Sequence, residues 1–344
     1  MLHDARITRT LNQLLDANVR FALDGRGTTN HCPMALCALA GMGATVGRLQ
    51  AYFDMWEKRF ALPAPTVATA IAMAEWPNHV GDLAAFGVLR MTFETAVHAQ
   101  GAGPVLEEVF LRLPFAPATG AFHAMIRIAY GLEAGHAGEI AAGLAAMVTT
   151  RLIVDCPTER AAPVSAAAGL EQLSRAFGGR VFAGSSITSR LRAVSIDPLF
   201  CAQLTPPPPV ADLLNAMAPA AIALYLQTRN FTALHIVTSL HALRIIRSYL
   251  EPQFAQTLMA PMWVAACAAY VAIGSPSIDG RAALVAPKTA NETAAPENSA
   301  WPALLSRAVE SDDDHVVKMV YTCWREHARE PLPAYLTVAA CLVA

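Results

Sequence analysis

Lysine is almost missing from this chain of 344 residues: only Lys58, Lys288 and Lys318 are lysine among 25 basic side chains. Fixed positive charge is supplied by Arg, so each Lys stands out as the base that can lose its proton. Charge of either sign is scarce, at 15% of residues with a net −2, which argues against general binding of nucleic acid. Disorder is excluded by the 54% of hydrophobic side chains, enough for a large core. Paired cysteines are missing too. Cys32, Cys37, Cys156, Cys201, Cys267, Cys323 and Cys341 are odd in number and form no CxxC. Most stand in Ala-rich runs as small hydrophobes, which disfavours thiolate zinc and a disulfide scaffold and fits a reducing cytoplasm. Met1-Leu2-His3-Asp4-Ala5-Arg6 scatters charge where an export signal would be apolar. The longest uncharged stretch, between Glu251 and Asp279, is cut by Pro252, Gln253, Gln256, Pro261, Ser275 and Pro276. It reads as a core helix rather than a membrane span, so no membrane partner is expected.

Strand alternation is nearly absent, and helical spacing dominates. Helices are expected over 6–23, 33–50, 80–99, 119–133, 136–150, 209–226, 230–250, 253–273, 312–328 and 331–343, all rich in Ala, Leu and Met. Breaks fall at Leu62-Pro63-Ala64-Pro65, Pro114 to Pro117, Gly178-Gly179 and Pro206 to Pro209. The polar stretch Pro287 to Ser299 reads as a long surface loop. No linker separates two cores, so the expectation is a single all-α multi-helix bundle over 1–344. Gly41-Met42-Gly43-Ala44-Thr45-Val46-Gly47 has no strand before it and reads as a turn or helix-packing feature. Neither a phosphate-binding loop nor a Gly-x-Ser-x-Gly elbow occurs.

Four of ten histidines stand at or near a helix start or on an apolar helix: His31, His123, His235 and His315. Asn30 is a suitable N-cap ahead of His31, and Thr119 ahead of His123. His315 and Lys318 are i and i+3, so they share a helix face. A buried Lys with a lowered pKa can capture carbon dioxide as a carbamate, which offers a metal a carboxylate-like oxygen. A salt bridge from Lys318 to Asp314 or Asp312 is the plainer alternative. Asp312-Asp313-Asp314 reads as an acidic helix start complementing the dipole. His241 lies about 120° around the helix from His235 and reads as a pocket residue or helix contact. Arg127 and Arg244, a turn or more beyond His123 and His235, are candidates to pair with a substrate phenolate or carboxylate. The competing reading for each is a salt bridge. Imidazole suits iron, zinc, copper and nickel alike. Three function classes therefore stay open: a metal-dependent oxygenase, a zinc hydrolase with the same ligands, and a metal-free helical binding protein.

Four segments resemble, in order, those of the questin oxidase-like family. They are Asn30-His31-Cys32-Pro33-Met34-Ala35, Gly120-Ala121-Phe122-His123-Ala124-Met125-Ile126-Arg127, Leu234-His235-Ile236-Val237-Thr238-Ser239-Leu240-His241-Ala242-Leu243-Arg244 and Asp313-Asp314-His315-Val316-Val317-Lys318. Where the family has Gly after the first His and an acidic residue in the next turn, this chain has Cys32 and Cys37. The resemblance implies a helical fold and a mononuclear non-haem iron, Fe(2+). It also implies four His ligands, matching His31, His123, His235 and His315, and a carboxylated Lys matching Lys318. The family's reaction is oxidative ring opening of anthraquinones and related polyketides, of Baeyer–Villiger or dioxygenase type. Its implied partners are a small aromatic substrate and dioxygen. Some members use NADPH; with no dinucleotide motif here, such a reductant would bind transiently or act through another protein.

Overall fold

The computed structural model describes residues 4–65, 67, 69–155, 160–278 and 300–344. Among them are seventeen α-helices and one two-stranded antiparallel ribbon that pairs Asp24–Gly25 with Thr28–Thr29. The fold is all-α, as the Ala- and Leu-rich periodicity requires. The loop expected over Pro287 to Ser299 lies outside the described residues.

Several boundaries differ from those expected, each for a local reason. The 33–50 stretch is two helices, Cys32–Gly41 and Val46–Arg59. Gly43 adopts φ 92°, and the Thr45 hydroxyl caps the second helix by accepting from Arg48 N–H. The glycines there do serve packing and turning, since a Cβ on Gly41 would lie 2.6 Å from the Tyr321 ring. The apolar 253–273 stretch divides at Leu258 into Pro252–Thr257 and Met259–Ala272, and the longer helix is mostly buried in the core. Together Pro252–Ala272 is long and apolar enough to cross a membrane by composition, but 67% of its most apolar window is buried inside the fold. Helices Ala102–Arg112, Ala166–Phe177, Ile187–Ser195 and Trp301–Glu310 add to those expected. Each is short, with a narrower apolar face.

Four helices carry the centre of the molecule: Cys32–Gly41, His123–Ala134, Phe231–Arg247 and Asp314–Arg329. They pack as a closed ring, the first on the second, the second on the third, the third on the fourth, and the fourth back on the first. Ala137–Thr149 backs the ring by packing on His123–Ala134. Gly143 makes that approach close: a Cβ there would lie 2.7 Å from the Ile128 backbone nitrogen. Cys32, Cys37, Cys267 and Cys323 are buried free thiols, as their apolar surroundings suggest. Cys201, by contrast, is disulfide-bonded, which departs from the reading of the cysteines as free hydrophobes.

Candidate metal centre

Each helix of the ring brings one imidazole to the same place. His31 immediately precedes Cys32–Gly41, His123 opens its helix, His235 is in the second turn of Phe231–Arg247, and His315 is the second residue of Asp314–Arg329. The four rings form their own closed circuit. Ring centroids are 4.6 Å apart for His31 and His123, 4.7 Å for His123 and His235, 5.6 Å for His235 and His315, and 4.7 Å for His315 and His31. All but His315 are buried, and His315 is nearly so. Phe231 lies against His235 and His315 on one side.

The local chain explains why each ring points inward. Asn30 accepts from Cys32 N–H through Oδ1 and donates through Nδ2 to Asn18 Oδ1 and the Ala22 carbonyl. That buried amide fixes the turn carrying His31. Thr119 does not cap the His123 helix as expected. Its hydroxyl accepts instead from Leu152 N–H, and the helix is entered through three successive left-handed residues, Gly120, Ala121 and Phe122, at φ 58°, 54° and 71°. Two of these are not glycine, and left-handed backbone costs such residues about 1–2 kcal/mol each. The turn places the Gly120 carbonyl 2.5 Å from His123 Nδ1. The three aspartates at the fourth helix separate in function. Asp312 pairs with Arg48, Asp313 caps by accepting from His315 and Val316 N–H, and Asp314 turns inward.

The protons on the rings follow from these contacts. A carbonyl only accepts, so His123 donates Nδ1–H to Gly120 O, and His235 donates Nδ1–H to Phe231 O at 2.7 Å. One oxygen of Asp314 lies 2.9 Å from His31 Nδ1 and 2.7 Å from His315 Nδ1, short of hydrogen-bond geometry, and its negative charge favours the proton on those nitrogens. The opposite nitrogens are then bare lone pairs in the neutral rings. His123 Nε2 is nevertheless 2.8 Å from His31 Nε2 and 3.2 Å from His235 Nε2, while His315 Nε2 is buried without a partner. Lone pairs facing one another at such distances repel unless a cation sits between them. Burial also holds the rings in their neutral, ligating form. It is the largest cause that takes His31 down to about 4, His123 and His235 well below the usual range, and His315 below it.

Lys318 lies at the same centre, its side chain buried and its Nζ 3.4 Å from Asp314 Oδ1. Burial lowers its pKa, and Asp314 opposes that shift. For Asp314, burial raises the pKa, but the Lys318 charge and the two imidazoles outweigh it and leave the carboxyl well below the carboxylate range. His31, His123 and His315 already satisfy the spacing of a three-ligand metal site. A divalent ion fits this donor set: neutral imidazoles, each with an oxygen behind it, with one carboxylate close by.

The remaining candidate residues lie elsewhere. Arg127 lines a cavity of about 400 Å³ that also touches His123. Its guanidinium is buried and grips both oxygens of Glu139, at 2.6 and 3.1 Å. His241 and Arg244 line neither this cavity nor its larger neighbour; both bind Glu326, through His241 Nδ1 at 2.7 Å and Arg244 Nε at 2.9 Å. The salt-bridge reading thus describes both arginines. The salt bridge from Lys318 to Asp314 is present as the plainer alternative had it, and what sequence reasoning missed is that Asp314 also faces His31 and His315, because a helix-start aspartate looks the same whichever way it faces.

The profile of the questin oxidase-like family matches residues 28–323. No curated protein matches the chain significantly.

Proposed function

The chain belongs to the questin oxidase-like family, which makes it an oxidoreductase of the kind that serves polyketide pathways, and from that premise we propose an oxygenase that opens an aromatic or quinone-type ring. In this reading His31, His123, His235, His315 and a carboxylated Lys318 hold one iron ion. The observation that carries it is the convergence of imidazole Nε2 lone pairs whose Nδ1 protons are already committed. When bound, iron supplies Lewis acidity and one-electron chemistry toward dioxygen and an electron-rich ring.

Charge balance supports the carbamate. The centre holds one cation, Lys318, and one anion, Asp314, with neutral imidazoles around them. Adding a divalent ion to that set would bury two uncompensated positive charges, which is strongly unfavourable. Carboxylation exchanges the ammonium for an anion: the amine nitrogen bonds the carbon of carbon dioxide and its protons leave to solvent. Ion, carbamate and Asp314 then sum to zero. The substitution Lys318→Arg keeps the positive charge and cannot make this exchange.

The polypeptide's own part is to bind and orient. Leu23, Met34 and Leu83 give the cavity beside His123 an apolar wall against which a flat ring can lie. Asn30, Thr149 and Thr150 add polar groups to the same lining. Arg127, closed onto Glu139, stiffens the wall. An external reductant such as NADPH, where the reaction needs one, would act without a dedicated dinucleotide fold.

Elemental analysis of the purified protein tests this reading, with one iron per chain expected. His123→Ala and Lys318→Arg should each lower iron occupancy about tenfold or more under a competing chelator. In buffer stripped of carbon dioxide the parent protein should bind iron weakly, bicarbonate should restore binding, and Lys318→Arg should not respond. Full iron content in Lys318→Arg would remove the carbamate. A parent protein that takes up no divalent ion would remove the oxygenase.

A further inference from the structure

The cavity beside His123 adjoins a second one of about 840 Å³, and the two share Leu23, Asp24, Leu83 and Arg127 in their linings. Together they carry five arginines. Three of these have acidic partners: Arg20 binds Glu57, Arg90 binds Glu94, and Arg127 binds Glu139. The half-buried Arg151 and the exposed Arg192, both in the cavity that touches His123, have no hydrogen-bond or ion-pair partner for their guanidinium groups among the described residues. Arg151 stands just past the Thr150 cap of Ala137–Thr149, and Arg192 is on Ile187–Ser195, so two separate elements deliver them to one chamber.

Arg151 is the more telling of the two. Its NH1 is buried and bonded to nothing. The residue is half-buried, so the cost falls on that one buried N–H group, and buried polar groups in native proteins ordinarily have a hydrogen-bond partner. Among the described residues none is provided: Asp24 is the only described carboxylate in either lining, and it forms no ion pair with any of the five arginines. Partial burial raises the Asp24 pKa and lowers that of Arg151, as expected for groups that do not compensate each other.

We propose that Arg151, assisted by Arg192, selects a substrate bearing a carboxylate, and that the aromatic body lies between these arginines and His123. The planar fork of Arg matches a carboxylate through two parallel hydrogen bonds, which a neutral substituent cannot reproduce. Thr188 stands in the same lining and adds a hydroxyl donor at that end, whereas Thr149 and Thr150 already donate theirs to the Ala145 and Ala146 carbonyls. The aromatic nature of the substrate rests on the proposed oxygenase; the demand for an anion rests on the unpaired arginines alone.

The test is equilibrium binding under nitrogen, by fluorescence quenching, to the protein as purified with its iron content measured alongside. The probes are a dihydroxyanthraquinone carboxylate and its counterpart with methyl in place of the carboxylate. The parent should bind the carboxylate about tenfold tighter, a preference that weakens as salt is raised. Arg151→Gln should remove most of that preference while changing affinity for the methyl compound less than about twofold. Arg151→Lys should keep a reduced preference, since the charge stays and the fork is lost, and Arg192→Gln should give an intermediate value. Equal affinity of the parent for both probes, no binding of either, or an unaltered preference in Arg151→Gln would overturn the proposal. Protein that takes up no divalent ion yet still prefers the carboxylate leaves it standing while defeating the metal reading, whereas iron-loaded protein without the preference defeats it alone.

Discussion

A single oxygen of Asp314 faces two imidazoles and one amine, and that contact decides which way two of the rings can serve. By favouring protons on Nδ1 of His31 and His315, Asp314 leaves both Nε2 atoms bare. Asp314→Asn keeps the shape but removes the charge and offers an amide that can present N–H where oxygen is needed. Affinity for iron should fall about 10–100-fold, the usual cost of losing a partner behind a ligand, while the helical content stays the same. Chelator competition with circular dichroism on the same samples would check both. An unchanged affinity would mean that Asp314 serves helix stability only. At this scale much was legible in the sequence. Four histidines on apolar helices and one of three lysines are unusual enough to be singled out, and the structure brings all five together. The Lys318–Asp314 salt bridge was legible as the plainer alternative and is present, whereas the contact of Asp314 with His31 and His315, and the place of Arg151, were not. Asp314 sits among three aspartates, each a good helix-start residue, and tertiary packing alone assigns one to a cap, one to Arg48 and one to the interior. Arg151 follows Thr149 and Thr150 at a helix end, where a solvent-facing Arg is the ordinary outcome.

The element that places His123 is the left-handed turn Gly120-Ala121-Phe122. No periodicity announces it, which is why a helix beginning near Thr119 was the natural expectation. The hydroxyl there instead ties the turn to Leu152, beside the end of Ala137–Thr149. Gly120 is the position to probe, because its φ of 58° disfavours any side chain while a Cβ would meet nothing closer than 3.9 Å. Gly120→Ala therefore isolates conformation from crowding. It should cost about 1 kcal/mol of stability by denaturant titration. It should also disturb the carbonyl that holds His123 Nδ1, and so weaken iron binding beyond the loss in stability. A variant as stable as the parent would show that the turn relaxes freely and that His123 is positioned by its helix alone.

Across the whole molecule, the four-helix ring is tied at two levels. At one level the imidazoles and Lys318 gather near the helix N-termini. More than two turns further along Asp314–Arg329, Glu326 receives His241 and Arg244 from Phe231–Arg247, and all three side chains are buried. This second tie fixes the spacing of two helices that each supply a ligand candidate, so it acts on the centre from a distance. Burial raises the pKa of Glu326, but the His241 hydrogen bond and the nearby charges outweigh it, and the folded-state value lies below the ordinary 4.5. A carboxylate depressed on folding contributes stability that is complete above its unfolded-state pKa and is lost as pH falls through the folded value. Below about pH 4.5 the parent should thus lose stability progressively with this pair. Glu326→Gln leaves the buried Arg244 with only Asp212, 3.9 Å from its Nη1, as an anion and should cost about 3 kcal/mol at neutral pH. That difference should narrow on acidification, because the parent then loses the same charge by protonation. Urea titrations of both proteins between neutral pH and about pH 3 would measure the convergence. Parallel curves would place the acid sensitivity in another carboxylate and reduce Glu326 to a packing residue.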